Sequence, residues 1–175
     1  MKTIGLLSDT HGTLHERVFH HFADCDEIWH AGDIGTTDII DQLEKFKPLR
    51  AVFGNIDGSA VRKRTSENLI FTVEGLKVYI THIGGYPGKY DKKAFTTLQK
   101  EKPGLFICGH SHILKVQFDS NNQWLCMNPG AAGNIGWHTI ITLLKFQISQ
   151  GEIKNLQAIE LGKRSKILPD ELTER

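Results

Sequence analysis

No apolar run in the sequence approaches the roughly eighteen residues that a membrane-spanning helix needs, so a soluble protein is expected. Cysteine is scarce. Cys25, Cys108 and Cys126 are far apart, odd in number and form no Cys-x-x-Cys pair, which excludes a disulfide framework or a thiolate zinc knuckle and leaves buried free thiols as the expectation. Charge of one sign is lacking too. A formal net charge of +1 supplies no field to gather nucleic acid, and a polynucleotide partner gains no support from it. The first residues pass from one lysine through Ile4-Gly5-Leu6-Leu7 directly to Ser8-Asp9, with no apolar core of a secretory signal, so a cytoplasmic location is expected. Internal repeats and low-complexity segments are also missing.

What remains is the composition of an ordinary globular domain, 39% hydrophobic and 23% charged over 175 residues. One domain is expected from Met1 to about Gly162, followed by a charged tail from Lys163 to Arg175. Short apolar runs at Ile4–Leu7, Ile28–Ala31, Leu49–Phe53, Val78–Ile80 and Leu105–Cys108 read as buried strands. Amphipathic stretches introduced by Thr13 and by Thr37, and a third from Asp91 to Lys100, read as helices. Strand and helix alternate in the first half, as a parallel sheet requires. Asn68–Val73 and Leu76–Ile80 form an expected hairpin about Glu74-Gly75, and from Ile113 onward only strands are predicted. Such a chain stacks two mixed β-sheets with helices outside, a four-layer αββα sandwich, in which the hairpin is expected to join the two sheets.

Nine histidines are present, and their placement carries more than their number. Asp9 and His11 follow the first strand, Asp33 the second, Asn55 and Asp57 the third, His82 the hairpin, and His110 and His112 the strand after the third helix. Loops beyond the carboxyl ends of parallel strands converge and are free to carry ligands. Residues two apart in an extended loop point the same way, so Asp9 with His11, and His110 with His112, make chelating pairs. Gly32, Gly54 and Gly109 remove side chains at sharp turns and leave space for an ion. Alone, an Asp after a strand is usually a helix cap and a loop histidine a hydrogen-bonding group. Independent caps have no reason to put four histidines at successive strand ends, so a metal site is the stronger reading. Imidazole, carboxylate and carboxamide donors suit Mn²⁺, Fe, Zn²⁺, Co²⁺ or Ni²⁺ rather than Ca²⁺.

These residues in this order, from Ser8-Asp9-Thr10-His11-Gly12 to Asn128-Pro129-Gly130-Ala131, resemble the calcineurin-like metallophosphoesterases, and among them the small single-domain phosphodiesterases. The resemblance implies the same αββα fold and two divalent ions, with Mn²⁺ first among the candidates. It implies that Asp9, His11, Asp33 and His112 hold one ion, that Asp33, Asn55, His82 and His110 hold the other, and that Asp33 bridges them. Asp33, Asn55 and His82 would be the catalytic ligands. Asn55, a neutral ligand with a spare amide, would also bind substrate phosphate. Two ions lower the pKa of a shared water, and the hydroxide so formed would attack the phosphorus in line.

The sequence departs from this pattern at Ile56, where monoester-cleaving relatives carry a proton-donating histidine. Loss of a general acid commonly costs ~10²–10⁴-fold with poor leaving groups, which points to small phosphodiesters rather than unactivated monoesters. Ile83 likewise replaces a usual glycine. Asp57 fits either orienting duty or turn capping, His30 either a core or a supporting role, and His138 is a candidate proton donor. Arg62-Lys63-Arg64 reads as a solvated basic cluster more than a phosphate anchor. The competing readings are a phosphomonoesterase of the same fold and a protein-binding scaffold, as in a retromer subunit that resembles the family. A homodimer is expected only from the general frequency of such assemblies.

Overall fold

The computed structural model describes residues 1–164. In chain order the elements are β1 (Lys2–Leu7), α1 (Arg17–His21), β2 (Glu27–His30), α2 (Thr37–Phe46), β3 (Leu49–Ala51), α3 (Ser59–Arg62), β4 (Asn68–Val73) and β5 (Leu76–Thr81). They continue with β6 (Gly85–Tyr86), β7 (Lys89–Tyr90), α4 (Lys92–Glu101), β8 (Leu105–Ile107), β9 (Leu114–Asp119), β10 (Trp124–Pro129), β11 (Ile140–Ser149) and β12 (Glu152–Lys163). Two five-stranded mixed sheets result, ordered β12-β11-β1-β2-β3 and β4-β5-β8-β10-β9. In the first, β1, β2 and β3 run parallel, β11 pairs antiparallel with β1 and β12 antiparallel with β11; in the second, β5, β8 and β10 run parallel between antiparallel β4 and β9.

Strand alternation distributes the apolar side chains into three cores. Ile4, Leu6, Trp29, Val78, Ile80, Leu105, Ile107, Met127 and Phe146 meet between the sheets. Leu7 and Ile28 point the other way, onto Val18 and Phe22 of the α1 region and Ile39, Ile40 and Leu43 of α2. Tyr79, Phe106 and Trp124 leave the second sheet outward, to Ala94 and Leu98 of α4. Helices therefore cover both outer faces, and the αββα sandwich expected from element order is the fold observed. At Gly5 a Cβ would come within 2.7 Å of the Phe22 ring, so that glycine is where the α1 region seats on the sheet.

Several boundaries differ from expectation. The first helix is a short segment starting at Arg17, and Thr13, whose N–H donates to the Thr10 carbonyl, lies in the turn before it. The strands β2, β3 and β8 stop short, and the buried residues that follow, Ala31, Val52 and Cys108, belong to the site loops. The hairpin of β4 and β5 lies wholly in the second sheet. The small hairpin of β6 and β7 and the single turn α3 were not predicted. Asp91 caps α4 by accepting from the N–H groups of Lys93 and Ala94. Lys163 ends β12 instead of beginning a tail, and the rest of the expected tail, from 165 to 175, lies outside the described residues. Cys25, Cys108 and Cys126 are buried and unpaired with one another. No helix among the described residues is long and apolar enough to cross a membrane.

Candidate metal centre

All seven sequence-selected residues lie in loops at the carboxyl ends of β1, β2, β3, β5 and β8. The β1 and β2 loops continue the strand ladder, with the N–H of Asp9, His11 and Gly12 donating to the carbonyls of Gly32, Asp33 and Ile34. Across the sheets, the N–H of His110 donates to Asp9 Oδ2 at 3.1 Å, and Ser8 Oγ donates to the same oxygen at 2.6 Å. Asp9 is thus fixed by one oxygen while its other, Oδ1, is buried without a partner.

The chelating pairs are not extended, as the sequence reading assumed. Asp9, His11, Asp33, His110 and His112 have φ of 54°, 47°, 53°, 69° and 60°, all in the left-handed region. A non-glycine residue there costs roughly 1–2 kcal/mol. Five such residues among seven candidate ligands show backbone strain concentrated at one site.

The side chains form two groups, Asp9-His11-His112 and Asp33-His82-His110, each with ligand atoms within 4.8 Å of one another. His112 Nε2 is 3.2 Å from Asp9 Oδ1, and His11 Nε2 is 3.3 Å from His112 Nε2. His82 Nε2 is 3.2 Å from Asp33 Oδ2, and His110 Nδ1 is 3.0 Å from Asn55 Oδ1. The same Asp33 oxygen lies 3.7 Å from His11 Nε2, so one carboxylate reaches both groups.

His82 Nδ1 donates to the Ala31 carbonyl at 2.7 Å, which in a neutral ring turns the lone pair of Nε2 toward the carboxylates. Buried His82 Nε2 has no hydrogen-bond partner. Burial lowers the His82 pKa, but the nearness of the Asp33 carboxylate and the charges of Asp9 and Asp33 outweigh it, and the net shift is upward. Burial raises the Asp9 pKa, yet the nearby imidazoles of His11 and His112, the field of His82 and the hydrogen bond from Ser8 bring it well below the usual carboxylate range. Asp33 is lowered as well, against its own burial, through His82 and the N–H of Ile56. Anionic oxygens and imidazole lone pairs converging in a buried space fit a cation. The donor set of nitrogen and oxygen without sulfur fits divalent ions of the transition series.

The glycines play a different part from the one expected. A Cβ at Gly54 would sit 1.9 Å from Asp33 Oδ1, one at Gly109 2.7 Å from Asp9 Oδ2, and one at Gly32 2.5 Å from His82 Nδ1. They clear room for the ligand side chains themselves. Asp57 is 3% exposed and accepts from the N–H groups of Ile34, Gly35 and Gly54, clamping the β2 loop to the β3 loop. His30 is buried, with Gly32 N–H donating to Nδ1. Thr10 spends its proton on the Ile34 carbonyl, so His30 Nε2–H donates to the Thr10 hydroxyl. Burial pushes the His30 pKa down to about 4.

His138 Nε2 donates to the Gly133 carbonyl, and its ring meets His112 edge-on at 5.2 Å. Arg62 donates to the carbonyls of Asp57 and Gly54 and stacks on Phe53, bracing the Asn55 loop. Arg64 is paired with Asp41 and Glu44. Ile56 directs its N–H to Asp33 Oδ1 at 3.1 Å, while its side chain is 47% exposed. Sequence reasoning missed Ser8 and Asn128. Asn128 donates to the Gly109 carbonyl and to Ser111 Oγ and so holds the loop of His110 and His112. Its place directly before a ligand, at the end of a buried strand, was the available signal for Ser8.

Two stacked mixed sheets with histidines and carboxylates gathered at their strand ends define a metal-site sandwich of the phosphoesterase kind. The chain belongs to the calcineurin-like phosphoesterase superfamily, whose domain it matches over residues 1–151. A probable metallophosphoesterase of Methanothermobacter thermautotrophicus is 34% identical over 134 residues, 73% of this chain and 76% of the relative. An archaeal phosphodiesterase shares the fold with a TM-score of 0.71 at 23% identity, covering 91% of this chain and 99% of its own. Vps29 of Entamoeba histolytica, solved with Zn²⁺, shares it with a TM-score of 0.68 at 15% identity, covering 93% and 99%.

Proposed function

We propose that the protein is a cytoplasmic, metal-dependent phosphodiesterase acting on small phosphodiesters at a two-metal centre. The observation that carries this reading is the joining of the two ligand groups through Asp33 Oδ2, with Asp9 Oδ1 and His82 Nε2 buried, facing inward and otherwise unpartnered. Asp9, His11, Asp33 and His112 would hold one ion, and Asp33, Asn55, His82 and His110 the other. Mn²⁺ is the first candidate. Bound there, two divalent ions supply a water acidic enough to ionise near neutral pH and clamp the phosphate oxygens.

The residues of the chain do the positioning. Exposed Asn55, whose Oδ1 faces His110, has an amide NH₂ free to donate to a phosphate oxygen. Asp57 and Arg62 hold the Asn55 loop, while the Ala31 carbonyl fixes the orientation of His82. At position 56 only a backbone N–H is offered, and it is spent on Asp33. No side chain there protonates a departing alkoxide, which favours diesters with acidic leaving groups over unactivated monoesters.

The test is metal analysis of the purified protein together with hydrolysis of bis(p-nitrophenyl) phosphate and p-nitrophenyl phosphate, with and without added Mn²⁺. Metal-dependent turnover with the diester preferred is expected. A faster monoester reaction overturns the diester preference, and absence of bound metal overturns the centre.

A further inference from the structure

Two cavities flank the candidate centre, and they are chemically unlike. One, of about 590 Å³, is lined by His110 together with Ile83, Tyr86, Cys108, Ile113 and Met127. The other, of about 310 Å³, is lined by Asn55, Arg62, Glu67, His82, Ile83 and Lys93. Ile83 and Asp91 belong to both. A further cavity of about 660 Å³, bounded by Phe95, Gln117 and Asn121, shares no residue with the candidate ligands.

The cavity beside His110 is larger than the phosphate needs, because the phosphate is held by the centre itself. Its volume is that of a small-molecule site. Three large apolar side chains around it are left in water: Ile83 is 43% exposed, Tyr86 39% and Ile113 65%. Two of them directly follow candidate ligands, Ile83 after His82 and Ile113 after His112. Buried Cys108 and Met127 add apolar surface, and Lys89, Asp91 and Lys115 are the charged residues of the lining. Lys115 Nζ lies 3.6 Å from the centre of the Tyr86 ring, a cation–π contact that braces the ring on one wall. The smaller cavity holds the Glu67–Lys93 ion pair and the Arg62 guanidinium, walls that disfavour an apolar group.

From this asymmetry we infer that the substrate is a phosphodiester carrying one bulky apolar ester substituent, which lies in the cavity of Ile83, Tyr86 and Ile113 beside His110. The inference rests on the phosphodiesterase reading and deepens it: the phosphate sits at the centre, the apolar substituent on the His110 side and a polar one on the Asn55 side. Ile83, Tyr86 and Ile113 then determine specificity without taking part in the chemistry.

The experiment titrates the Mn²⁺-loaded full-length protein by calorimetry with methylphosphonate and phenylphosphonate, at a pH where both are dianions. The anion is shared and only the substituent changes. Phenylphosphonate is expected to bind at least roughly tenfold more tightly, from burial of the ring. In the Tyr86→Ser/Ile113→Ser double variant that advantage is expected to fall below about threefold, with the methylphosphonate affinity unchanged as the control for folding. The single variant Ile83→Ser gives an independent measurement with the same expectation of a reduced ratio. Equal affinities in the parent protein, or an advantage that survives in both variants, overturn the apolar subsite while leaving the diesterase reading intact. Failure of both phosphonates to bind, with no diester hydrolysis, overturns that reading and the subsite with it.

Discussion

His82 Nε2 lies 3.2 Å from Asp33 Oδ2, and the opposite nitrogen of the same ring donates to the Ala31 carbonyl. In a neutral ring this places two electron-pair donors face to face in a buried space, an arrangement that a cation stabilises and that its removal leaves uncompensated. Chelation of the metal-loaded protein should therefore lower its Tm by several degrees, with Mn²⁺ restoring it. A site of saturated affinity contributes RT ln(1 + [L]/Kd), about 2.7 kcal/mol at a hundredfold excess over Kd. Differential scanning fluorimetry with and without EDTA measures the shift, and an unchanged Tm would count against the centre.

Asp33 Oδ2 reaches both ligand groups, so its substitution should be felt in both. Asp33→Asn keeps the shape and removes the shared anion. Diester turnover should fall at least ~10³-fold and metal content should drop below that of the parent protein. Measured kcat and elemental analysis read the two effects separately, and full retained turnover would sink the bridging assignment.

Gly54 faces Asp33 so closely that a Cβ would stand 1.9 Å from Oδ1. Gly54→Ala must push either the Asp33 side chain or the β3 loop away, although Gly54 itself needs no left-handed backbone. Loss of Mn²⁺ affinity by at least tenfold with a fold still cooperative in thermal melts is expected. Unchanged affinity would show that the loop gives way freely.

The parts of this site that could be read from the sequence are those written as residue order. Asp9, Asp33, Asn55, His82 and His110 each follow a strand whose apolar run is plain, so their convergence at one edge followed from the parallel arrangement. The αββα layering followed in the same way from alternation. The left-handed backbone of five candidate ligands was not legible, because it is imposed by hydrogen bonds between loops distant in sequence, such as Asp9 N–H to Gly32 O. Asp57 was ambiguous for a similar reason. Turn capping and site support are the same act here, since its carboxylate accepts from Gly54 of its own turn and from Ile34 and Gly35 of another. The apolar cavity was invisible, because the β6–β7 hairpin that walls it is two residues per strand and leaves no periodic signal.

Ile56 offers a direct test of why the site would prefer diesters. Its side chain is 47% exposed and its N–H already holds Asp33, so Ile56→His should cost less than ~0.5 kcal/mol in stability. The imidazole restores a proton donor beside Asn55. Hydrolysis of an unactivated monoester should rise by roughly tenfold or more, while bis(p-nitrophenyl) phosphate, with its acidic leaving group, should change little. Kinetics on both substrates separate the two cases, and an equal change in both would mean that the histidine alters binding rather than protonation.

His30 gives the pH dependence its sign. Burial holds its folded pKa at about 4, below the ordinary imidazole value of 6.5, so between those values the unfolded chain binds a proton that the folded chain refuses. Stability from this group is complete above about pH 6.5 and is lost as pH falls toward 4. The neutral ring also joins the β1 loop through Thr10 to the β2 loop through Gly32, so protonation costs the hydrogen bond accepted at Nδ1. Urea melts of the metal-free protein between pH 7 and pH 4.5 should show a declining stability that is shallower in His30→Gln, a variant with a lower absolute stability but no proton to take up. Parallel slopes in the two proteins would assign the acid sensitivity to other groups.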